Sequence, residues 1–130
     1  MQLYQKKSVK PLFYNLEDHP QLAEGSFIRQ LFDNFRREVI ALDPIVTEEI
    51  RKSYVAFKAE TNFVDVVPQK SRLVLTLNMA FHELNDPRSM AKDVTGVGRW
   101  GNGNIEIGLS DHTELLYVMG LVRQAYEKQI

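Results

Sequence analysis

The stretch YVAFKAETNFVDVVPQKSRLVLTL, residues 54–77, decides the fold of this chain. Aromatic and β-branched residues are concentrated in three segments, residues 54–59, 63–67 and 72–77, and side chains of these types favour strands. The intervening peptides ETN and PQKS have the composition and length of turns. The sequence therefore predicts three consecutive strands that pair as an antiparallel meander.

Amphipathic helices are predicted on both sides of the meander. Between residues 27 and 42, apolar side chains recur every three or four positions, and Ser26 can cap the first turn. The same spacing continues from residue 115 to 126, with Ser110 or Asp111 as the cap. Short helices are also predicted at residues 45–52 and 88–94, each after an Asp-Pro pair, and a fourth strand at residues 105–109.

Together these elements predict one α+β domain over residues 26–130, with two main helices packed on an antiparallel sheet of about four strands. Residues 1–25 show no sustained periodicity, so they are expected to form an N-terminal arm or linker.

The amino-acid composition excludes several classes of function for this chain. The 130 residues carry 16 Lys and Arg against 17 Asp and Glu, so the whole surface cannot be a polycation for nucleic acid and any basic site must be local. The absence of cysteine excludes disulfides, thiol catalysis and Cys-ligated zinc. No apolar run approaches the roughly 18 residues of a membrane span, and no apolar signal core is present, so a cytoplasmic protein with no membrane partner is expected.

A set of hydrogen-bond donors on the meander is the best binding candidate. Lys58, Gln69, Lys70 and Arg72 could gather at one edge of the sheet, and Arg99 could join them if its glycine-rich loop folds over that edge. Such donors suit phosphate or carboxylate. The alternative is that these side chains are solvated and only keep the sheet from aggregating.

The glycine-rich loop TGVGRWGNGN contains the only tryptophan, Trp100. Its glycines spell G-x-G-x-x-G, but they lead into a strand where a dinucleotide site requires a helix, so no cofactor is predicted. Trp100 beside Arg99 could stack on a base, a sugar or a cation. The usual burial of tryptophan favours the other interpretation, a buried side chain that pins the loop.

No catalytic or metal-binding set is predicted. Asp65 on the hairpin raises the possibility of a metal-dependent nuclease, but that chemistry needs an acid and usually a lysine on the following strand. Residues 72–77 contain neither. The three histidines, at positions 19, 82 and 112, are not spaced as a ligand pair.

Three segments carry a resemblance to a known family: the meander with Tyr54, Lys58 and the PQK turn, the loop VGRWG, and the helical ending LLYVMGLVRQAYE. They resemble a bacterial and archaeal domain of unknown function that occurs in chains labelled predicted transport proteins and C-terminal to nuclease-like or restriction-type modules. The resemblance implies a non-catalytic accessory binding module linked to nucleic-acid processing, with nucleic acid or a protein as partner. Two alternatives stay open: an enzyme acting on a small anionic ligand beside Trp100, and a domain that homodimerises through an unpaired strand edge.

Overall fold

A computed structural model describes residues 13–97 and 103–130. Two short 3-10 turns, Leu16–Asp18 and Pro20–Leu22, precede the first helix. The helices are α1 (Phe27–Ile40) and α2 (Leu115–Glu127), and the strands of the described residues are β1 (Thr47–Ile50), β2 (Val55–Lys58), β3 (Asn62–Pro68), β4 (Leu73–Leu77), β5 (Ala91–Asp93) and β6 (Ile105–Leu109).

The strands form one antiparallel sheet in the order β1-β2-β3-β4-β6-β5. The predicted meander is confirmed as β2, β3 and β4, and the predicted fourth strand is β6. The predicted α+β class with two helices is confirmed, but the described chain has six strands and not about four.

The two additional strands lie at the edges of the sheet, where short helices were predicted. Residues 45–52 contain β1 and residues 88–94 contain β5. Both Asp-Pro pairs form turns, which the Val46 amide closes on the Asp43 carbonyl at 3.0 Å and the Ser89 amide closes on the Asp86 carbonyl at 3.0 Å. Asp43 Oδ1 accepts a hydrogen bond from the Ile45 amide at 3.0 Å, and Asp86 Oδ2 accepts one from the Ala91 amide at 2.7 Å.

Side-chain caps lie at the start of α1 and at the start of the 3-10 turn, His112–Glu114, that leads into α2. Ser26 Oγ accepts a hydrogen bond from the Arg29 amide at 3.0 Å, as the sequence predicts. Asp111 accepts one from the Thr113 amide at 2.9 Å, whereas Glu114 binds the Ser110 amide and not that of Asp111. Asp111 therefore caps the 3-10 turn and not α2 itself, which begins at Leu115 without a side-chain cap, and the predicted capping box with Glu114 is absent.

The two helices run in the same direction on one face of the sheet. The ring of Phe27, the first residue of α1, lies 5.6 Å from that of His112, just before α2. At the opposite ends, Asp43 accepts a hydrogen bond from the Tyr126 hydroxyl. Phe35 of α1 packs edge-to-face on Phe57 of β2.

The core lies between the helices and the inward-facing residues of the sheet. At the bulge beside Lys58, Phe57 is opposite Val64, and Phe63 has no partner in the register. The bulge therefore turns Phe63 toward the helices, where its ring packs on Tyr126 of α2 at 5.6 Å. The fully buried members of this core include Leu22, Leu31, Phe32, Phe35, Phe57, Leu75, Leu77, Ile105 and Ile107.

The two ends of the sheet have different connections. At one end, called the turn end, the residues between β3 and β4 form a tight turn. The other end, called the loop end, holds the end of β4 at Leu77 and the start of β6 at Ile105, which pair with each other. Among the described helices, none is long and apolar enough to cross a membrane.

Candidate functional site

A row of five polar residues and one alanine crosses the face of the sheet that lies opposite the helices. Side chains alternate along a strand, so the neighbours of the inward-facing Val64, Leu75 and Ile107 must face away from the helices. The register aligns these outward residues from one edge strand to the other. The aligned set, called the polar row, is Glu49, Ala56, Asp65, Thr76, Glu106 and Lys92.

The centre of the polar row is buried. Asp65 is fully buried and Thr76 is 3% exposed, although both described helices lie on the other face. Asp65 Oδ1 accepts a hydrogen bond from Asn62 Nδ2 at 2.8 Å. A buried carboxylate costs several kcal/mol unless hydrogen bonds and charges compensate it. The sequence signal for this group is one polar residue inside the apolar strand FVDVV.

Lys58 is held in an ion pair at one side of the polar row. Its Nζ lies 2.9 Å from Glu49 Oε1, and Arg51 Nε lies 3.5 Å from the same oxygen. The hydrogen bond from Lys58 lowers the pKa of Glu49; partial burial opposes this, and the positive charges of Arg51 and Lys58 add to the lowering. Lys58 therefore already has an anionic partner inside the domain.

Gln69 and Arg72 organise the turn between β3 and β4. The Gln69 amide donates to the Arg72 carbonyl at 2.8 Å, and Arg72 Nε donates to Gln69 Oε1 at 3.2 Å. The Arg72 guanidinium lies over Gly108 of β6, where an added Cβ would be 2.8 Å from Nη1. Gly108 thus leaves the space that the Arg72 side chain occupies on the face opposite the helices.

Lys70 lies at the same turn but beside the helices. It lines a pocket of about 370 Å³ together with Ser26, Phe27 and Ile28 at the start of α1. Within the described part of the chain, neither Lys70 nor Arg72 makes an ion pair. Residues 69–72, called the cationic turn, therefore carry two exposed positive charges that no carboxylate of the described residues pairs with.

The structure separates Lys58 from the cationic turn. Lys58 lies at the loop end, opposite Asn62, while the cationic turn follows Pro68 at the turn end. The seven residues of β3 separate them by roughly 20 Å, at about 3.3 Å per residue. The expectation that Lys58, Gln69, Lys70 and Arg72 gather at one edge is therefore wrong for Lys58, because β3 carries the chain to the other end of the sheet.

Arg99 and Trp100 lie outside the described residues, so their predicted binding role stays a prediction. The same holds for the predicted enzyme site beside Trp100. Among the described residues, no cluster of three metal-ligating side chains is present.

A second polar cluster ties the loop after β4 to α2. The Tyr117 hydroxyl donates to Asp86 Oδ1 and accepts from the Arg88 amide at 2.9 Å. The Arg88 guanidinium also lies 4.6 Å from the centre of the Tyr117 ring. Burial works to raise the pKa of Asp86, but hydrogen bonds from Tyr117, Ala91 and Met90 outweigh it and lower the pKa. The Asp86 carboxylate is thus already hydrogen-bonded within the fold.

Comparison with known proteins identifies the family. The model of a domain of unknown function, DUF5655, matches residues 17–129. An uncharacterized protein of Haemophilus influenzae is 38% identical over 113 residues, which are 86% of this chain and 37% of that protein. The chain thus spans little more than a third of this curated relative, and no solved structure matches it. The chain belongs to the DUF5655 family of domains of unknown function.

Proposed function

We propose that this domain is a non-catalytic accessory module of longer proteins and that it contacts nucleic acid through its cationic turn. The observation that carries the proposal is the pair of exposed, unpaired cations, Lys70 and Arg72, on one four-residue turn of the described chain. The module character is supported by the Haemophilus influenzae relative, of which the matched region is only 37%.

The chemistry of the cationic turn fits phosphate. Gln69 and the space above Gly108 hold the Arg72 guanidinium in one orientation, so less side-chain entropy is lost when it binds. Its planar donors can meet two phosphate oxygens, while Lys70 supplies a point charge on the other side of the turn. Contacts of this kind follow the phosphate backbone and are insensitive to base sequence.

The association with nuclease-like or restriction-type modules that the resemblance implies belongs to the same proposal. A domain that adds a few phosphate contacts would hold such a module on its substrate without reading the sequence. The expected affinity of the domain alone is therefore weak and strongly salt-dependent.

A protein partner is the second candidate, and the polar row favours it. Glu49 lies beside Lys58 and Arg51 at one end of the row, and Glu106 lies opposite Lys92 at the other, so both signs of charge are present on either side of the buried centre. A mixed surface of this kind suits another folded protein better than a polyanion.

The test measures binding of a fluorescently labelled oligonucleotide by anisotropy at several salt concentrations. Substituting both Lys70→Ala and Arg72→Ala should weaken binding by roughly a hundredfold in 0.1 M salt, since each lost phosphate contact forgoes the release of about 0.9 counterion. The slope of log affinity against log salt should fall by about two, equally for different base sequences.

The matched control is Lys58→Ala, which removes a cation that is ion-paired and lies at the loop end. It should leave the affinity and the salt slope unchanged. Binding that is independent of salt, or equal weakening by Lys58→Ala and by the double substitution, contradicts the proposal. Salt-independent capture of a protein would favour the second candidate.

A further inference from the structure

An apolar pocket adjoins the cationic turn at the start of α1. It has a volume of about 370 Å³, and Pro20, Ala23, Phe27 and Ile28 supply its apolar lining. Lys70 is the one charged residue among the described residues that line it. The pocket, called the aromatic pocket, therefore places apolar surface directly beside a cation that no described carboxylate pairs with.

The ring of Phe27 is the flat surface that the aromatic pocket offers. Phe27 is the first residue of α1, and it is 50% exposed. Its contact with the ring of His112 is edge-to-face, with the ring centres 5.6 Å apart. Such a contact covers at most one face of a ring, so at least one face of Phe27 is left free of it. A single exposed phenylalanine is ordinary, and what distinguishes this one is Lys70 in the same pocket.

The charges around the aromatic pocket favour an anionic ligand. No acidic residue occurs among its described lining residues or in the first turn of α1. The exposed carboxylates of Glu24 and Asp111 lie nearby along the chain but do not line the pocket. Lys70 and Arg72 are two residues apart, so their Cα atoms are separated by at most about 7 Å. A chain of phosphates can therefore contact both cations while one of its attached groups enters the pocket.

We propose that the aromatic pocket takes an unpaired base, so that the domain binds single-stranded nucleic acid in preference to a duplex. This inference rests on the proposed contact between nucleic acid and the cationic turn, and it specifies the form of nucleic acid. The base stacks on Phe27, its phosphate meets Lys70, and a neighbouring phosphate meets Arg72. Every base has a π face, so such stacking tolerates any sequence. The bases of a duplex stack on one another and are not available to the pocket.

Stacking supplies affinity that the charges of this domain do not. Two phosphate contacts release few counterions, and a net charge of −1 gives the domain no general attraction for a polyanion. One base stacked on an aromatic side chain typically changes the affinity by roughly five- to 150-fold. A single aromatic residue beside the cationic turn is therefore enough to set the preference for unpaired bases.

Three labelled oligonucleotides of equal length separate stacking from charge: a single strand, its duplex, and an abasic strand that keeps every phosphate but has no bases. Fluorescence anisotropy in 0.1 M salt should show the single strand bound about tenfold more tightly than the abasic strand, and more tightly than the duplex. Phe27→Ala should remove that difference and leave the abasic affinity and the salt slopes unchanged. Lys70→Ala should instead lower the salt slope by about 0.7 for both strands alike.

Further variants distinguish a flat ring from apolar bulk. Phe27→Tyr keeps the ring and should bind like the unaltered chain, whereas Phe27→Leu keeps apolar volume without a π face and should behave like Phe27→Ala. The matched control is Phe81→Ala, because Phe81 is 37% exposed and lies shortly after the end of β4 at the loop end. It should change none of the affinities, and thermal melting of each variant checks that the fold is kept.

Methyl NMR of Ile28 gives a second readout, since this residue lines the aromatic pocket. The ring current of a bound base should shift the Ile28 methyl resonances, and the abasic strand should not. Equal affinity for the single and abasic strands, or no effect of Phe27→Ala on the single strand, would overturn this inference; salt-dependent binding through Lys70 and Arg72 would then still support the proposed function. If none of the three oligonucleotides binds, the proposed function fails and this inference fails with it.

Discussion

Three glycines of this domain lack a side chain for different physical reasons, and replacing each by alanine tests the geometry in one series. Gly103 has φ +134°, and an added Cβ would lie 2.5 Å from the carbonyl oxygen of Leu77. The same oxygen accepts the Asn104 amide at 3.1 Å and so extends the pairing of β4 with β6. Gly103→Ala therefore strains the backbone and pushes against a hydrogen-bonded carbonyl.

The loss of stability expected for Gly103→Ala follows from the backbone strain and from the displaced carbonyl. A residue held in a disfavoured backbone region costs about 1–3 kcal/mol. Displacing the Leu77 carbonyl and weakening its hydrogen bond adds about 1–2 kcal/mol. Gly103→Ala should therefore lower the free energy of unfolding by roughly 3 kcal/mol and the melting temperature by about 12 °C for a chain of this size.

Urea and thermal unfolding followed by circular dichroism measure the effect, with the other two glycines as controls. Gly108→Ala meets only the flexible end of Arg72, so it should cost less than about 1 kcal/mol. Gly120→Ala has open space in a helix interior and should stabilise the fold by about 0.5–1 kcal/mol. Equal losses for Gly103→Ala and Gly108→Ala, or a loss at Gly103 below about 1 kcal/mol, would refute this reasoning.

Three further predictions concern the core and the paired side chains. Phe57→Ala should lower the free energy of unfolding by about 3–5 kcal/mol, since Phe57 is fully buried against Phe35; chemical denaturation measures it. Tyr126→Phe should destabilise the protein at neutral pH. Hydrogen bonds from Ile45 and then from Tyr126 lower the pKa of Asp43, so the contribution of Tyr126 is complete above about pH 4 and is lost as the pH falls through the lowered value. Unfolding curves at a series of pH values should show the two proteins converging in acid. Lys58→Ala should raise the pKa of Glu49 toward its ordinary value, which carboxyl NMR titration can follow; an unchanged titration would mean that the ion pair is absent in solution.

The elements with strong periodicity could be predicted from the sequence. Helix α1 begins after the expected cap at Ser26, and every end of the three meander strands lies within one residue of its prediction. These elements can be predicted from their own residues, because apolar spacing and capping chemistry are properties of the segment itself.

The edge strands could not be predicted, because their conformation depends on a distant neighbour. The four residues of β1 alternate neither in polarity nor in size, and they are extended because they pair with β2. An Asp-Pro pair is compatible with a helix start and with a turn, because the aspartate can accept backbone amides in both, and only the strand pairing of the residues that follow distinguishes the two.

The candidate site was predictable only in part. The cationic turn is contiguous in sequence, so Gln69, Lys70 and Arg72 were found together. The polar row consists of single residues from six strands of the described chain, and its alignment is set by the register. The separation of Lys58 from Arg72 likewise depends on strand direction, which spacing along the chain does not express.

The shared direction of α1 and α2 gives this domain an electrical polarity that its net charge of −1 conceals. Peptide dipoles of antiparallel helices cancel, whereas those of two parallel helices add, with the positive pole at the amino-terminal ends. Both amino-terminal ends lie at the turn end: Lys70 borders the start of α1, and β6 delivers the chain to α2 beside Leu73. Asp111 and Glu114 offset this pole at the start of α2, whereas the first turn of α1 contains no acidic residue, so its positive pole adds to the charge of Lys70 beside it. An anion held at the start of α1 would therefore be stabilised by the backbone as well as by the lysine.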